Sequence, residues 1–186
     1  MLYHMGMPEA LKKGAETLEA LSMEQLAGEL KRRGEESFKN RYPHPFLVVV
    51  FVPPEESEEE EHFTRKATFS DYIPRKGRLS GMKAIPLVKT SRNVFSSKIT
   101  VGRATNNDVI IRAQMVSKAH AAFVLDDGER IKLMDMGSAN GTMLNGKKLK
   151  KREMSAVDSG DTITFWRFVF EYQELDAFVR LLNGLS

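Results

Sequence analysis

Asp135-Met136-Gly137-Ser138-Ala139-Asn140-Gly141-Thr142-Met143-Leu144-Asn145-Gly146 is the stretch on which the fold reading turns. Its Asn145-Gly146 pair is the strongest hairpin signal in the chain, because a type I′ turn needs positive φ at both central residues. Short β-prone runs recur around it at close spacing: 84–88, 98–101, 109–111, 120–124, 131–134, 143–144, 162–165 and 168–172. Turn formers such as Asp126-Asp127-Gly128 and Asp158-Ser159-Gly160-Asp161 separate them. Many short strands with this punctuation predict a β-sandwich or barrel.

Outward from that core the texture changes. Residues 174–182 predict a short amphipathic helix carrying Leu175, Phe178, Val179 and Leu182. Upstream, residues 8–37 predict helix, with an interrupted stripe of Leu11, Ala15, Leu18, Leu21, Leu26 and Leu30. Ser22 with Gln25 three residues on resembles a capping box, which would break this segment into two helices near Leu21. Gly34 suits the far end. Tyr42-Pro43-His44-Pro45 stops any helix, and 46–52 is a strand-like run ended by Pro53-Pro54. The seven residues 55–61 hold six glutamates, which repel and cannot bury a core, so they read as a solvated linker. Residues 62–82 are basic and irregular. The division expected is 1–54 helical extension plus one strand-like run, 55–82 acidic then basic linker, 83–173 sandwich domain, and 174–186 C-terminal helix.

Bulk properties bound the function. The chain has 186 residues, 28 basic against 25 acidic side chains, a net charge of +3 and no cysteine. A disulfide framework and a thiolate metal site are therefore impossible. The charge bias is too weak to argue for nucleic acid. The start lacks the pattern of a secretory signal, and 46–52 is far too short to span a bilayer. A soluble cytoplasmic protein with no membrane or nucleic-acid partner is expected. The N-terminal stripe suits packing or a homo-oligomer contact.

Three loop segments supply polar groups suited to an oxyanion. Gly102-Arg103 follows a strand, and a guanidinium offers a planar fork of donors that matches phosphate. Val116-Ser117-Lys118-Ala119-His120 sets a hydroxyl beside an ammonium. Ser138-Ala139-Asn140-Gly141-Thr142 carries an amide able to grip a peptide backbone through both its donor and its acceptor.

Taken in order, Gly102-Arg103, Asp108-Val109, Val116 to Ala121, Asp135 to Gly146 and Gly160-Asp161-Thr162-Ile163 resemble the forkhead-associated (FHA) domain family. The resemblance covers about half the chain. It implies an eleven-stranded, mainly β sandwich that binds phosphothreonine peptides through loops at one end. Carried over, it implies phosphopeptide contacts from Arg103, Ser117, Lys118 and Asn140. Gly102, His120, Ser138, Ala139, Gly141 and Thr142 would shape the site, His120 by hydrogen bonding within the loops. Lys118 stands where the family often has arginine, Ala139 where some members have a ligand-binding hydroxyl, and Trp166 where glycine is usual. No catalytic residue, cofactor or metal is implied.

The chemistry agrees with the resemblance. Phosphothreonine carries about −1.5 to −2 charges, and residues 84–173 hold 14 Lys or Arg against 9 Asp or Glu. The expected function is a phosphothreonine-dependent peptide-binding adaptor in a Ser/Thr kinase pathway. The alternative is a phosphate-independent scaffold module on the same fold. A Ser117–His120–Asp135 hydrolase triad is a distant third, since there is no nucleophile elbow. Lys147 to Arg152 reads as a solvated strand edge. Arg65-Lys66-Ala67-Thr68, with Asp71 beyond, resembles a basophilic kinase substrate, which makes phosphorylated Thr68 a candidate ligand for its own or a neighbouring chain's module.

Overall fold

Phe168, Phe170 and Tyr172 alternate with Val169, Glu171 and Gln173, and this period of two turns the three aromatic side chains into one core. The computed structural model describes residues 20–52, 81–124 and 130–185. Thr68, the glutamate run and most of the linker lie outside them. Among the described residues there are twelve strands and three helices.

The first sheet runs β1 (Leu21–Ser22), β3 (Lys83–Pro86), β2 (Phe46–Phe51), β12 (Phe168–Gln173), β11 (Thr162–Phe165), β8 (Thr142–Leu144), β9 (Lys147–Lys148). The second runs β10 (Met154–Ala156), β7 (Lys132–Asp135), β6 (Ala121–Val124), β4 (Lys98–Gly102), β5 (Val109–Ile110). All pairings between strands are antiparallel except β4 with β5. The architecture is a β-sandwich. Its filling is apolar, with Leu47, Val101, Phe123, Leu133, Ile163, Phe165 and Phe170 fully enclosed. Burying each such side chain contributes roughly 1.5–3 kcal/mol.

The sandwich draws on more of the chain than residues 83–173. Strand β2 sits between β3 and β12, with Leu47 opposite both Ile85 and Tyr172. Its side chains alternate: Leu47 enters the sandwich core, while Phe46 and Val48 face the other way. There they meet α1 (Met23–Arg33), α2 (Glu35–Arg41) and α3 (Leu175–Leu185) in a second core of Met23, Leu26, Leu30, Phe38, Phe178 and Leu182. The rings of Phe46 and Phe178 stack 3.9 Å apart. The helical stripe at Leu21, Leu26 and Leu30 is thus spent on this sheet, while Leu11, Ala15 and Leu18 lie outside the described residues.

Residues 8–19 of the expected helical segment lie outside the described residues; α1 begins at Met23, but not through a capping box. Ser22 is extended and its side chain makes no cap hydrogen bond. Instead Leu21–Ser22 pairs with β3, and the Met23 N–H donates to the Met82 carbonyl at 3.0 Å. Gly34 ends α1 at φ 79°, and helix resumes to Arg41, past the expected end at residue 37. At the other end of the chain, α3 runs on to Leu185. No helix among the described residues is long and apolar enough to cross a membrane.

Candidate functional site

Three loops meet at the end of the second sheet where β4 finishes. Backbone hydrogen bonds join the first two: the Arg103 N–H donates to the Ser117 carbonyl at 3.0 Å, and Ala104 N–H to the Lys118 carbonyl at 3.2 Å. The Asn107 side chain reinforces the second contact, donating to Lys118 O at 2.7 Å. This approach needs a residue without a side chain on β4. A Cβ on Gly102 would sit 2.3 Å from the Lys118 carbonyl oxygen, far inside contact distance with backbone that cannot swing away.

His120 connects the second loop to the third. Its Nδ1 lies 3.1 Å from the Ser117 N–H and its Nε2 3.0 Å from the Gly141 carbonyl. Since Nδ1 must accept, the proton belongs on Nε2, which donates to Gly141. Burial holds the imidazole below its ordinary pKa, against the raising effects of the Gly141 bond and the Asp135 charge. Both ring nitrogens are therefore occupied by backbone groups, and neither faces the Ser117 hydroxyl as a hydrolase triad requires.

The third loop is organised by Asp135, fully buried at the end of β7. Its Oδ1 accepts from the N–H groups of Gly137 (2.8 Å) and Ser138 (2.9 Å). Its Oδ2 accepts from the hydroxyls of Ser138 (2.6 Å) and Thr142 (2.7 Å). Burial pushes this carboxyl up, but those donors outweigh it and leave the group below its ordinary value. The Ser138 oxygen in turn accepts from the Gly141 N–H at 2.9 Å. Gly141 itself needs φ 88°, a left-handed value that suits glycine.

The remaining links fix the two polar side chains at the junction. Ser117 Oγ accepts from the Ala139 N–H at 3.0 Å. Asn140 Nδ2 donates to the Met115 carbonyl at 2.7 Å. Each keeps hydrogen-bonding capacity in reserve: the serine its O–H, the asparagine its Oδ1 and a second N–H. Arg103 and Lys118 are exposed, and among the described residues their side chains make no ion pair or hydrogen bond. The structure thus brings Arg103, Ser117, Lys118 and Asn140 into adjoining loops, with Gly102, His120, Ser138, Gly141 and Thr142 behind them. Ala139 contributes only its backbone, and Trp166, at φ 58°, turns the β11–β12 hairpin and packs on Phe168.

Other organisers lie behind these loops: Asp108 from a motif already noted, and Met115 and Asn107 without a clear mark in the sequence. Asp108 fastens residues 90–100 below the site, accepting from the Thr90 N–H (2.6 Å) and hydroxyl (2.8 Å), the Thr100 N–H (2.8 Å) and the Asn93 amide. Met115 serves through its carbonyl, which no side-chain pattern reveals. Asn107 follows a second asparagine, and its residue type alone does not announce the bond to Lys118. Asp135 had a possible signal, in hydroxyls at the third and seventh positions after it.

Comparison with known proteins agrees with this architecture. The family model described as FHA domain matches residues 99–166, and this part of the chain is a forkhead-associated domain. The chain is 29% identical over 102 residues to an oxoglutarate dehydrogenase inhibitor of Corynebacterium efficiens, covering 55% of this chain and 69% of that protein. Its matches span less of two other curated relatives: 46% of the corresponding Corynebacterium glutamicum inhibitor and 8% of a Caenorhabditis elegans protein, germ layers disorganized gldi-3. Among solved structures it is similar to the N-terminal FHA domain of S. cerevisiae Rad53p in complex with a phosphothreonine peptide. That match has 25% identity and a TM-score of 0.39, covering 45% of this chain and 73% of that one. Mycobacterium tuberculosis EmbR in complex with a low-affinity phosphopeptide matches at 24% identity and a TM-score of 0.42, covering 49% of this chain and 21% of that one.

Proposed function

We propose that the junction of the three loops binds phosphothreonine in a partner protein, making the chain a phospho-dependent adaptor in kinase-linked signalling. One observation carries the reading. Two exposed cations, Arg103 with its N–H on the Ser117 carbonyl and Lys118 next along the chain, adjoin in the backbone a serine hydroxyl with a free proton, on loops locked from behind to the one that carries a half-used asparagine amide. In this reading Arg103, Ser117 and Lys118 take the phosphate, and Asn140 holds the ligand's main chain. A charge-assisted hydrogen bond contributes roughly 1.5–3 kcal/mol net. Two or three of them make the phosphate decisive for binding.

The rear hydrogen bonds supply preorganisation, which spares the ligand the cost of ordering the loops. Membership in the FHA family points the same way. The test is titration of the intact chain with a phosphothreonine peptide library and its unphosphorylated counterpart. Selective binding of phosphorylated peptides, lost in Arg103→Ala, supports the adaptor. Equal binding of both libraries assigns the module to phosphate-independent scaffolding instead.

A further inference from the structure

Among the described residues, four strands stand at the margins of the two sheets: β1 and β9 in the first, β10 and β5 in the second. A marginal strand offers unpaired N–H and C=O groups to any chain that can lie beside it. β1 and β5 are only two residues long, and β9 is two exposed lysines, which would oppose each other if the strand met its own copy. β10 differs. Met154-Ser155-Ala156 carries no charge, and Met154 is 50% exposed.

The hydrogen-bond pattern shows which groups of β10 are already paired. Its register with β7 sets Met154 opposite Met134, Ser155 opposite Leu133 and Ala156 opposite Lys132. One residue further on, the Val157 N–H donates to the Ile131 carbonyl at 3.2 Å. In an antiparallel ladder, residues that bond to the neighbouring strand alternate with residues that point away from it. Val157 and Ser155 therefore turn their backbone groups towards β7. Met154 and Ala156 turn theirs to the open edge.

Two copies of this edge fit each other. Laid antiparallel with a two-fold axis at Ser155, Met154 of each copy falls opposite Ala156 of the other. Both members of such a pair have outward-pointing groups, so each pair exchanges N–H···O bonds in both directions. A large side chain then meets a small one on the face that each strand shares with Met134. The same register brings the turn at Arg152 beside Asp158 of the second copy. Arg152 is exposed and has no ion pair among the described residues, and the exposed Asp158 carboxylate has only a 3.8 Å contact with Arg130.

We propose that β10 is the contact of a symmetric homodimer, in which the five-stranded sheets of two copies join edge to edge. The opposed strand directions send the loops carrying Arg103, Ser117 and Asn140 to opposite ends of the joined sheet. The contact does not depend on what those loops bind. An isologous edge of this kind closes on itself and stops at two copies.

Small interfaces are weak, so the full chain is followed by sedimentation equilibrium from about 10 µM to about 1 mM. A reversible monomer–dimer equilibrium is expected. Amide exchange reads the register: the Ser155 amide is protected at every concentration, while those of Met154 and Ala156 slow about tenfold once about nine chains in ten are paired. Ala156→Pro deletes an edge donor without touching the β7 ladder and abolishes the dimer. Met154→Lys abolishes it by placing a charge on the edge. Asp158→Arg weakens pairing, and adding Arg152→Asp to it restores the association.

A chain that stays monomeric at about 1 mM overturns the proposal. So does a dimer that survives both Ala156→Pro and Met154→Lys in proteins whose thermal midpoints are unchanged. If the proline variant does not fold, Met154→Lys decides alone. Exchange at Met154 and Ala156 that ignores concentration, in a chain that does dimerise, rejects this edge and places the contact on another surface.

Discussion

Ser117 accepts a hydrogen bond from the Ala139 backbone through its side-chain oxygen while its carbonyl accepts from Arg103. One residue thereby ties three loops together, and its hydroxyl proton stays available to a ligand. Ser117→Ala removes both the link and the donor. On the proposed reading, phosphopeptide affinity falls by at least about tenfold, the loss of one charge-assisted hydrogen bond. Stability drops by no more than about 1 kcal/mol, because the Ala139 N–H is exposed and can turn to water. Isothermal titration and thermal unfolding of the same sample check the two halves. A large loss of stability with unchanged affinity contradicts the prediction.

His120 gives a pH dependence whose sign can be worked out. Its folded pKa is depressed, chiefly by burial, so the folded state binds the proton less readily than the unfolded chain does. Its contribution to stability is complete above the ordinary value of 6.5 and is lost as pH falls below it. His120→Ala leaves the Ser117 N–H and the Gly141 carbonyl without partners and is expected to cost roughly 2–4 kcal/mol at pH 7.5. That cost shrinks as the pH is lowered towards 5. Urea titrations of both proteins across this range measure it, and a difference that stays constant with pH rules the mechanism out.

Asp135 acts through the number of donors it collects. Asp135→Ala strands two backbone N–H groups and two hydroxyls around the Asn140 loop, an expected loss of about 3–5 kcal/mol. Since the folded carboxyl sits below its ordinary value of 3.8, the ionised group stabilises the fold above that pH. The benefit disappears as pH falls further, towards the folded pKa. Amide exchange at Gly137, Ser138 and Gly141 should quicken in the variant before the rest of the sandwich opens. Uniform quickening across both sheets would show that Asp135 supports the whole fold and not this loop.

How much of this was legible follows from where each signal resides. Asn145-Gly146 was readable because a hairpin with φ 51° and 75° is a local requirement that few residue pairs meet. Strand β10 was not, because its exposed Met154 and Ala156 give no buried face, and only pairing with β7 makes it a strand. The run at 46–52 announced a strand but not its neighbour, since Phe51 pairs with Val169 more than a hundred residues away. In the site, ordered motifs marked Arg103, Ser117 and Asn140. The support from Met115 and Asn107 depends on carbonyl positions and loop closure, which residue types do not encode.

Glu171 offers a stability change well away from the proposed ligand. It lies on the helix-facing side of β12, opposite Val48 and Thr162, and burial raises its pKa against the lowering effect of its hydrogen bond with Gln173. The raised value means that the folded state favours the neutral carboxyl. The stability associated with this group is fully present below the ordinary 4.5 and is lost as pH rises through the folded pKa. Glu171→Gln keeps the acceptor for Gln173 and removes the charge. The variant is expected to unfold about 2–4 °C higher at pH 7, corresponding to roughly 1 kcal/mol. Its advantage should vanish near pH 4, where the glutamate is protonated in both states. Calorimetry at the two pH values decides it: equal midpoints at pH 7, or an advantage that persists in acid, would show that the buried charge is not what limits this strand.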